Sequence, residues 1–205
     1  EKKVVVQDVV KGKIEFPEND LDIVIMKSDG LPTYHFARLV DDHLMRTTHI
    51  IRGDEWVSSL PIHIQLFKVF GFEPLKYAHL SPIMKQEGDT KRKLSKRKDP
   101  EAAMSYYAEL GIPTEAVHLY LMTIANTNFE QWYDQNKDKS IDEFKFNFKK
   151  ISSSGALFDL EKINNISKDV IFKTPIDELV NNVKVWAQTY DANLLSLIRS
   201  EEHTS

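Results

Sequence analysis

"THIIRGDEWVSSLPIHIQLFKVFGFEPLKYAHLSPIMK", Thr48–Lys85, predicts a strand, a helix and a second strand in succession. The expected strands are the short apolar stretches Thr48–Gly53 and Tyr77–Lys85, and the expected helix is Ser59–Gly71. A serine can cap the start of such a helix, and a glycine can end it. This order of elements is typical of a parallel sheet with a crossover helix, so the first half of the chain is predicted to be α/β.

The residues before this stretch predict further strands and a short helix. Alternating β-branched residues from Lys3 to Phe16 predict a strand or a hairpin. Ile23–Lys27 is short and apolar, which predicts another strand, and the following Ser-Asp-Gly is a turn signal that would end it. "TYHFARLVDDHLM", Thr33–Met45, predicts a short helix or a mixed segment. Because only a few strands are predicted, the sheet is expected to be incomplete.

The sequence pattern changes to helices near Asp99. Asp99 followed by Pro100 predicts an N-cap and a first helical position. "TEAVHLYLMTIA", Thr114–Ala125, predicts an apolar helix, and Thr174–Tyr190 has apolar residues on one helical face. The polar tail at 200–205 is expected to fray. The predicted fold class is therefore α/β followed by all-α, with one domain over residues 1–98 and a second over 99–205.

The composition excludes several kinds of site. The 205 residues contain no cysteine, so disulfides and thiolate metal sites are excluded. The seven histidines show no metal-ligand spacing, so no metal site is expected, although a carboxylate-bound Mg²⁺ stays open. No apolar run is long enough to span a membrane. We therefore expect a cytoplasmic protein that does not interact with membranes.

Positive charge is concentrated in one short segment. The net charge is −4, yet "KRKLSKRKD", Lys91–Asp99, has six basic residues and one acidic residue, +5 in sum, so the other residues sum to −9. A protein that binds nucleic acid through bulk charge spreads its lysines and arginines more widely. This distribution favours local phosphate binding by Lys93, Ser95 and Lys96. The alternative is a basic segment that is merely solvated.

The order of residues decides between these two interpretations. "KLSKR", Lys93–Arg97, resembles the KMSKS signature of class I aminoacyl-tRNA synthetases, in the form common to glutamyl-tRNA synthetases. "KSDGLPTYHFARLVDDHLMRTTHIIRGDEW", Lys27–Trp56, resembles the central catalytic stretch of the bacterial members of that family. The likeness extends in the same order from about Asp22 to about Ser167. It implies the second half of a Rossmann-like class I catalytic fold, followed by a helical domain that contacts the tRNA stem.

The resemblance implies roles for individual residues. Lys93 and Lys96 would bind the phosphates of ATP, with Ser95 setting the loop, so these three are the candidate catalytic residues. Glu55 and Trp56 match a pair near the ATP and the substrate pocket.

The implied substrate residues are Tyr34 and Arg52, which match a tyrosine and an arginine that contact glutamate. A guanidinium suits an acidic substrate because it can bind a carboxylate through two donors. The alternative for Arg52 is a structural salt bridge with Asp41, Asp42 or Asp54. Arg38 departs from the family, where a smaller residue faces the substrate, and it could reach a substrate carboxylate or block the pocket.

The implied function is that of a ligase which activates L-glutamate with ATP and Mg²⁺ and attaches it to tRNA(Glu), as a monomer. No H-x-G-H occurs among the histidines, so we expect the chain to be a piece of the enzyme that is inactive by itself. Two alternatives remain: a non-catalytic module that contacts tRNA, and a glutaminyl-type relative.

Overall fold

The computed structural model describes residues 2–202, of which Glu201 and Glu202 are described for the backbone alone. Two compact units are present. The first contains the residues up to Pro82 together with Lys145–Ala156, and the second contains Ile83–Phe144 and the residues from Leu157 onward. The units therefore divide at Pro82, earlier than the boundary predicted at residue 98, and the chain returns to the first unit once.

A four-stranded sheet forms the centre of the first unit. Strands β1 (Lys3–Asp8) and β2 (Gly12–Pro17) are an antiparallel hairpin, and β3 (His49–Gly53) and β4 (Lys76–Leu80) follow. The order across the sheet is β2-β1-β4-β3, and β4 is parallel to both β1 and β3. The predicted hairpin and the predicted parallel pair are both confirmed.

Two helices complete this unit. Helix α1 spans Tyr34–Leu44, and helix α2, Leu60–Val69, is the crossover between β3 and β4. A 3-10 helix over Asp54–Ser59 joins β3 to α2. The two helices pack through buried apolar side chains, namely Leu39, Leu66 and Phe67.

Two strand predictions in this region were wrong in detail. Ile23–Lys27 forms only one bridge, between Met26 and Pro32, because its inward residues Ile23 and Ile25 pack against the helices without a neighbouring strand. The segment predicted as one strand from Tyr77 to Lys85 is divided. It ends as β4 at Leu80, and Pro82, which has no backbone N–H to donate to a ladder, precedes the next strand.

The second unit begins with a hairpin and continues as helices. Its strands are β5 (Met84–Glu87) and β6 (Thr90–Lys93). Its helices are α3 (Met104–Glu109), α4 (Thr114–Ala125), α5 (Phe129–Gln135), α6 (Leu160–Lys173), α7 (Ile176–Tyr190) and α8 (Ala192–Glu202). The prediction of an α/β part followed by helices is confirmed. Of the tail expected to fray, the residues to Glu202 belong to α8 and 203–205 lie outside the described residues.

Buried aromatic side chains hold these helices together. Phe129 is fully buried and contacts a cluster that includes Leu119 of α4 and Val170 of α6. Tyr120 and Ile163 belong to a second cluster, and the Tyr120 hydroxyl accepts a hydrogen bond of 2.7 Å from the backbone N–H of Asp159. Helices α4 and α6 are therefore fixed to each other by apolar packing and by a polar contact.

The segment Lys145–Ala156 returns to the first unit and is held there by two kinds of contact. The rings of Phe148 and His49 stack at 5.4 Å. The ammonium of Lys11 donates to the backbone oxygen of Ser153 at 2.7 Å and forms an ion pair with Asp54 at 3.0 Å. Lys11 follows β1 and Asp54 follows β3, so this returning segment closes over the carboxyl ends of parallel strands.

Candidate functional site

Arg52 lies near the carboxyl end of β3 and is almost completely buried, with 8% of its surface exposed. Its Nε donates to Nε2 of His79 at 2.8 Å, Nη1 donates to Nδ1 of His63 at 3.2 Å, and Nη2 donates to the backbone oxygen of Trp56 at 3.0 Å. The guanidinium also lies over the ring of Tyr77, 5.4 Å from its centre. Neutral acceptors and one aromatic face therefore surround this cation.

The acceptors of Arg52 differ from the alternative considered from sequence. A salt bridge with Asp41, Asp42 or Asp54 was that alternative, and no such ion pair of Arg52 occurs among the described residues. Burial lowers the pKa of Arg52, yet a guanidinium remains protonated at any physiological pH. Its charge is therefore retained in a site without a directly bonded carboxylate.

The two histidines that accept from Arg52 were not predicted as site residues. His79 is in β4 and His63 is in α2, and their rings are fully and almost fully buried. Burial and the positive charge of Arg52 lower the pKa of His63 to about 3, and burial also lowers the pKa of His79. Both rings are therefore neutral at pH 7. The only sequence signal for them is a histidine inside an otherwise apolar strand or helix.

Tyr34, Arg38 and Trp56 form a more exposed group in the same unit. The rings of Tyr34 and Trp56 stack at 5.2 Å. Nη1 of Arg38 donates to the Tyr34 hydroxyl at 2.9 Å, and its Nε lies 3.3 Å from Oδ2 of Asp42, one helical turn further along α1. Arg38 is therefore held by its own helix, whereas Arg52 is held by several elements.

Glu55 and Trp56 lie in the 3-10 helix that follows β3. A Cβ added at Gly53 would overlap the Glu55 carboxylate, so this side chain folds back over the end of the strand. Trp56 is 38% exposed, and its backbone oxygen accepts from Arg52 as well as from Ser59 Oγ at 2.7 Å. Arg52, Tyr34, Trp56 and Glu55 are therefore brought together at one edge of the sheet.

The basic segment of the second unit is part strand and part loop. Lys93 is the last residue of β6, and the loop proper follows it. The Leu94 N–H donates to the backbone oxygen of Ile83 at 2.8 Å, and Leu94 is half-buried, so this residue anchors the start of the loop. Lys93 and Lys96 are exposed, and Ser95 is half-buried.

The prediction for Asp99 was wrong, and this residue holds the base of the loop. It was predicted as a helix N-cap, but its side chain makes no cap hydrogen bond, and only a short 3-10 helix, Pro100–Ala102, follows it. Its buried carboxylate instead accepts from both terminal nitrogens of Arg92, at 2.6 and 2.8 Å, and from the Ser95 N–H at 2.8 Å. Lys85 lies 3.1 Å from it.

Asp99 pairs with cations and does not cap the helix for an electrostatic reason. A carboxylate that can bind a guanidinium in two places, together with an ammonium, gains more than one that caps a single N–H. The hydrogen bond with Arg92 is the main reason that the pKa of Asp99 lies far below its usual range. A hydrogen bond to Glu101, and to a smaller extent one to Asp99, raises the pKa of Lys85. The base of the loop is therefore a paired charge cluster, while Lys96 has no partner among the described residues.

Residues 2–202 lack two features, one related to membranes and one to metals. No helix there is long and apolar enough to cross a bilayer. In that same part of the chain, no group of three or more His, Asp or Glu side chains is placed to hold a metal ion.

Residues 1–165 match the model of the tRNA synthetases class I (E and Q), catalytic domain, and the chain belongs to this family. The predicted class I synthetase fold is thereby confirmed. The family match covers the hairpin, the parallel sheet, the basic loop and the first helices of the second unit.

The similar proteins within this family are glutamate–tRNA ligases. The chain is 54% identical over 202 residues to that of Clostridium perfringens strain 13, covering 98% of this chain and 37% of the relative. It is 46% identical over 213 residues to that of Sorangium cellulosum, covering 97% of this chain and 37% of the relative. The chain thus spans a little over a third of these relatives.

A solved structure shows the same fold. The glutamate tRNA ligase of Elizabethkingia meningosepticum, in complex with its amino acid, matches with a TM-score of 0.75 at 31% identity. The match covers 92% of this chain and 40% of that chain.

Proposed function

We propose that this chain is part of a glutamate–tRNA ligase, which activates L-glutamate with ATP and attaches it to the 3′ end of tRNA(Glu). The family match and the identity to ligases of that name support this function. We further propose that the protein acts in the cytoplasm as a monomer.

The observation that carries the proposal is the donor count of Arg52. A guanidinium has five N–H donors, and three of those of Arg52 are used within the protein. The remaining two lie one on each terminal nitrogen and have no hydrogen-bond partner among the described residues. Two adjacent N–H groups match the two oxygens of a carboxylate. We therefore assign a carboxylate of glutamate to Arg52, with the Tyr34 hydroxyl as a further polar contact.

Arg38 has a supporting role in this proposal. Its hydrogen bond to Tyr34 uses one of the two N–H groups of Nη1, and its ion pair with Asp42 is made through Nε, which leaves the second Nη1 donor and both Nη2 donors for a substrate carboxylate. An arginine that is already neutralised by an aspartate binds an anion less strongly. Arg38 is therefore assigned as a supplement to Arg52.

The loop of the second unit is proposed to bind ATP. Lys93 and Lys96 would contact the phosphates, and Ser95 would fix the loop, because its N–H is held by Asp99. Cations near the phosphates stabilise the charge that builds up when pyrophosphate leaves. Glu55 and Trp56 of the first unit are assigned to ATP as well. Mg²⁺ would accompany ATP and neutralise its phosphates in the same way.

A segment exchange tests this function. The 202 matching residues would replace the corresponding stretch of the Clostridium perfringens ligase, to which they are 54% identical. We expect ATP–pyrophosphate exchange that depends on L-glutamate. A folded chimera without such exchange would contradict the proposal.

Two other results would support the alternatives. Exchange that depends on glutamine in place of glutamate would indicate a glutaminyl-type enzyme. Binding of tRNA(Glu) without any exchange would indicate a non-catalytic module.

A further inference from the structure

A line of buried polar side chains runs through the first unit, with Arg52 at its centre. On one side, Arg52 Nε lies 2.8 Å from His79 Nε2, and His79 Nδ1 lies 2.6 Å from Oδ2 of Asp8. On the other side, Arg52 Nη1 lies 3.2 Å from His63 Nδ1, and His63 Nε2 lies 2.9 Å from Nδ1 of His35. Five side chains are thereby joined by consecutive hydrogen bonds.

The direction of these hydrogen bonds follows from the chemistry of arginine. A guanidinium only donates, so Nε2 of His79 and Nδ1 of His63 must both accept. A neutral ring that accepts on one nitrogen carries its proton on the other. His79 therefore donates through Nδ1 to Asp8, and His63 donates through Nε2 to His35. The two rings must be neutral, in opposite tautomers.

We propose that His63 and His79 are positioning residues that hold the Arg52 guanidinium in one orientation for a substrate carboxylate. This inference rests on the function proposed above for Arg52. Neither histidine is assigned a contact with the substrate. Their role is to fix three of the donors of Arg52, with Trp56, so that the last two are always presented in the same direction.

The positions of these hydrogen-bonded side chains in the fold indicate that they hold Arg52 rigidly. Asp8, His79 and Arg52 are all at least nine-tenths buried, on strands β1, β4 and β3. Asp8 is itself fixed, because its Oδ1 accepts from the N–H groups of Val10 and Lys11 at 2.9 and 2.8 Å. His63 comes from helix α2, so elements far apart in sequence converge on one guanidinium.

The charges around the two rings favour their neutral form. The groups that act on His63 are Arg52, His35, Arg38 and His79, and those that act on His79 are Asp8, Arg52 and Asp54. For His63 all of these are basic, and its pKa is about 3. His79 has acidic neighbours too, yet burial outweighs them and lowers its pKa. Both rings can therefore accept from Arg52 throughout the physiological pH range.

Nuclear magnetic resonance on the 205-residue chain tests the hydrogen bonds directly. Labelled histidines should show the Nδ1–H tautomer for His79 and the Nε2–H tautomer for His63, both neutral at pH 7. The Arg52 Nε–H should have an order parameter near that of rigid backbone, about 0.85. A reversed tautomer, a ring that titrates near its ordinary pKa of about 6.5, or an order parameter below about 0.6 would overturn the proposal.

Paired variants separate positioning from a merely structural role. His79→Gln and His63→Asn keep an acceptor near the position of the lost nitrogen, whereas His79→Leu and His63→Leu remove it. Titration with L-glutamate should show Kd raised about tenfold in each leucine variant, the usual cost of losing a hydrogen bond to a charged group. The acceptor-retaining variants should stay within about threefold of the unmodified chain, on the same reasoning.

Each remaining result decides the matter. If leucine variants with intact β3 and β4 amide protection bind glutamate normally and leave the Arg52 Nε–H unchanged, the histidines are structural only. If a leucine variant does not fold, the tautomers and the order parameter of the unmodified chain decide. If neither the unmodified chain nor the chimera responds to glutamate, the proposed function fails, whereas the Arg52 Nε–H of the variants still tests the positioning claim.

Discussion

The Arg52 site of the first unit and the basic loop of the second unit both present positive charge, but they hold it differently. Arg52 is buried and bonded to neutral acceptors, so its charge is oriented and is not neutralised. In the loop, the cations at the base, Arg92 and Lys85, are paired with Asp99 and also with Glu87 and Glu101, whereas Lys96 remains exposed. For the roles proposed above, this difference predicts a preformed site for a small anion at Arg52 and an adjustable site for a larger anion at the loop.

Arg52→Lys should have the largest effect on glutamate binding, because an ammonium cannot reproduce the planar fork of the guanidinium or reach three acceptors at once. Glutamate affinity should fall by about 4 kcal/mol, roughly a thousandfold, as for other broken buried charge pairs. Glutamate-dependent exchange in the chimera measures it. Arg46→Lys, an exposed change of the same kind, is the control. If Arg38→Asn were more damaging than Arg52→Lys, the roles of these two arginines would be reversed.

Lys96→Ala should act mainly on the rate. The charge of Lys96 is proposed to interact with phosphates in the transition state. Its loss should raise the activation free energy by about 3 kcal/mol, so kcat should fall roughly 150-fold with little change in the KM for glutamate. Pre-steady-state kinetics of the chimera measure both quantities. Lys98→Ala removes the same charge from the same loop and should change kcat far less. A change confined to the KM for glutamate would show that the role assigned to Lys96 is wrong.

The neutral state of His63 predicts a pH dependence of stability. Its pKa is about 3 in the folded chain and about 6.5 when unfolded, so the unfolded chain binds a proton that the folded chain does not. The neutral His63 ring therefore contributes to the free energy of unfolding above about pH 6.5. As the pH falls toward 3 this contribution is lost, at up to about 1.4 kcal/mol per pH unit.

Urea unfolding between pH 7 and pH 5 measures this contribution. His63→Asn, which cannot titrate, should unfold with a shallower pH dependence than the unmodified chain. His118→Asn, at an exposed position on α4, should leave the slope unchanged. Identical slopes for all three proteins would mean that His63 takes up its proton over the same pH range in the folded and the unfolded chain.

Asp99→Asn should have the smallest effect, confined to the loop. Loss of the negative charge weakens the bonds to Arg92 and Lys85, so trypsin should cleave after Lys96, Arg97 and Lys98 several-fold faster. Asp89→Asn, the same charge change in the exposed β5–β6 turn, is the matched control. Equal cleavage rates in both variants would show that Asp99 does not hold the loop.

The regular elements could be predicted because their signals are local. Apolar periodicity identified α4 and α7, and the strand–helix–strand order identified β3, α2 and β4. Ile23–Lys27 could not be resolved in this way, because an alternating apolar pattern shows that residues face a core and does not show that a strand partner exists. Asp99 was misassigned because a cap and an ion-pair partner have the same local sequence.

The site was predictable only where chemistry and position coincide in sequence. Arg52 stands out as a cation at the end of an apolar strand, and Lys93, Ser95 and Lys96 stand out through the family motif. His63, His79 and Asp8 do not, because their role depends on hydrogen bonds between residues up to 71 positions apart. No local pattern distinguishes such a histidine from one that is simply packed in a core.

The return of Lys145–Ala156 to the first unit has a consequence for synthesis on the ribosome. A nascent chain that has emerged only to Pro82 contains all four strands, but it lacks the Ser153 oxygen that Lys11 binds and the Phe148 ring that stacks on His49. These two contacts can therefore form only after Ser153 has left the exit tunnel. Until then the ends of its parallel strands are uncovered, and the helices that are translated in between have the opportunity to fold first.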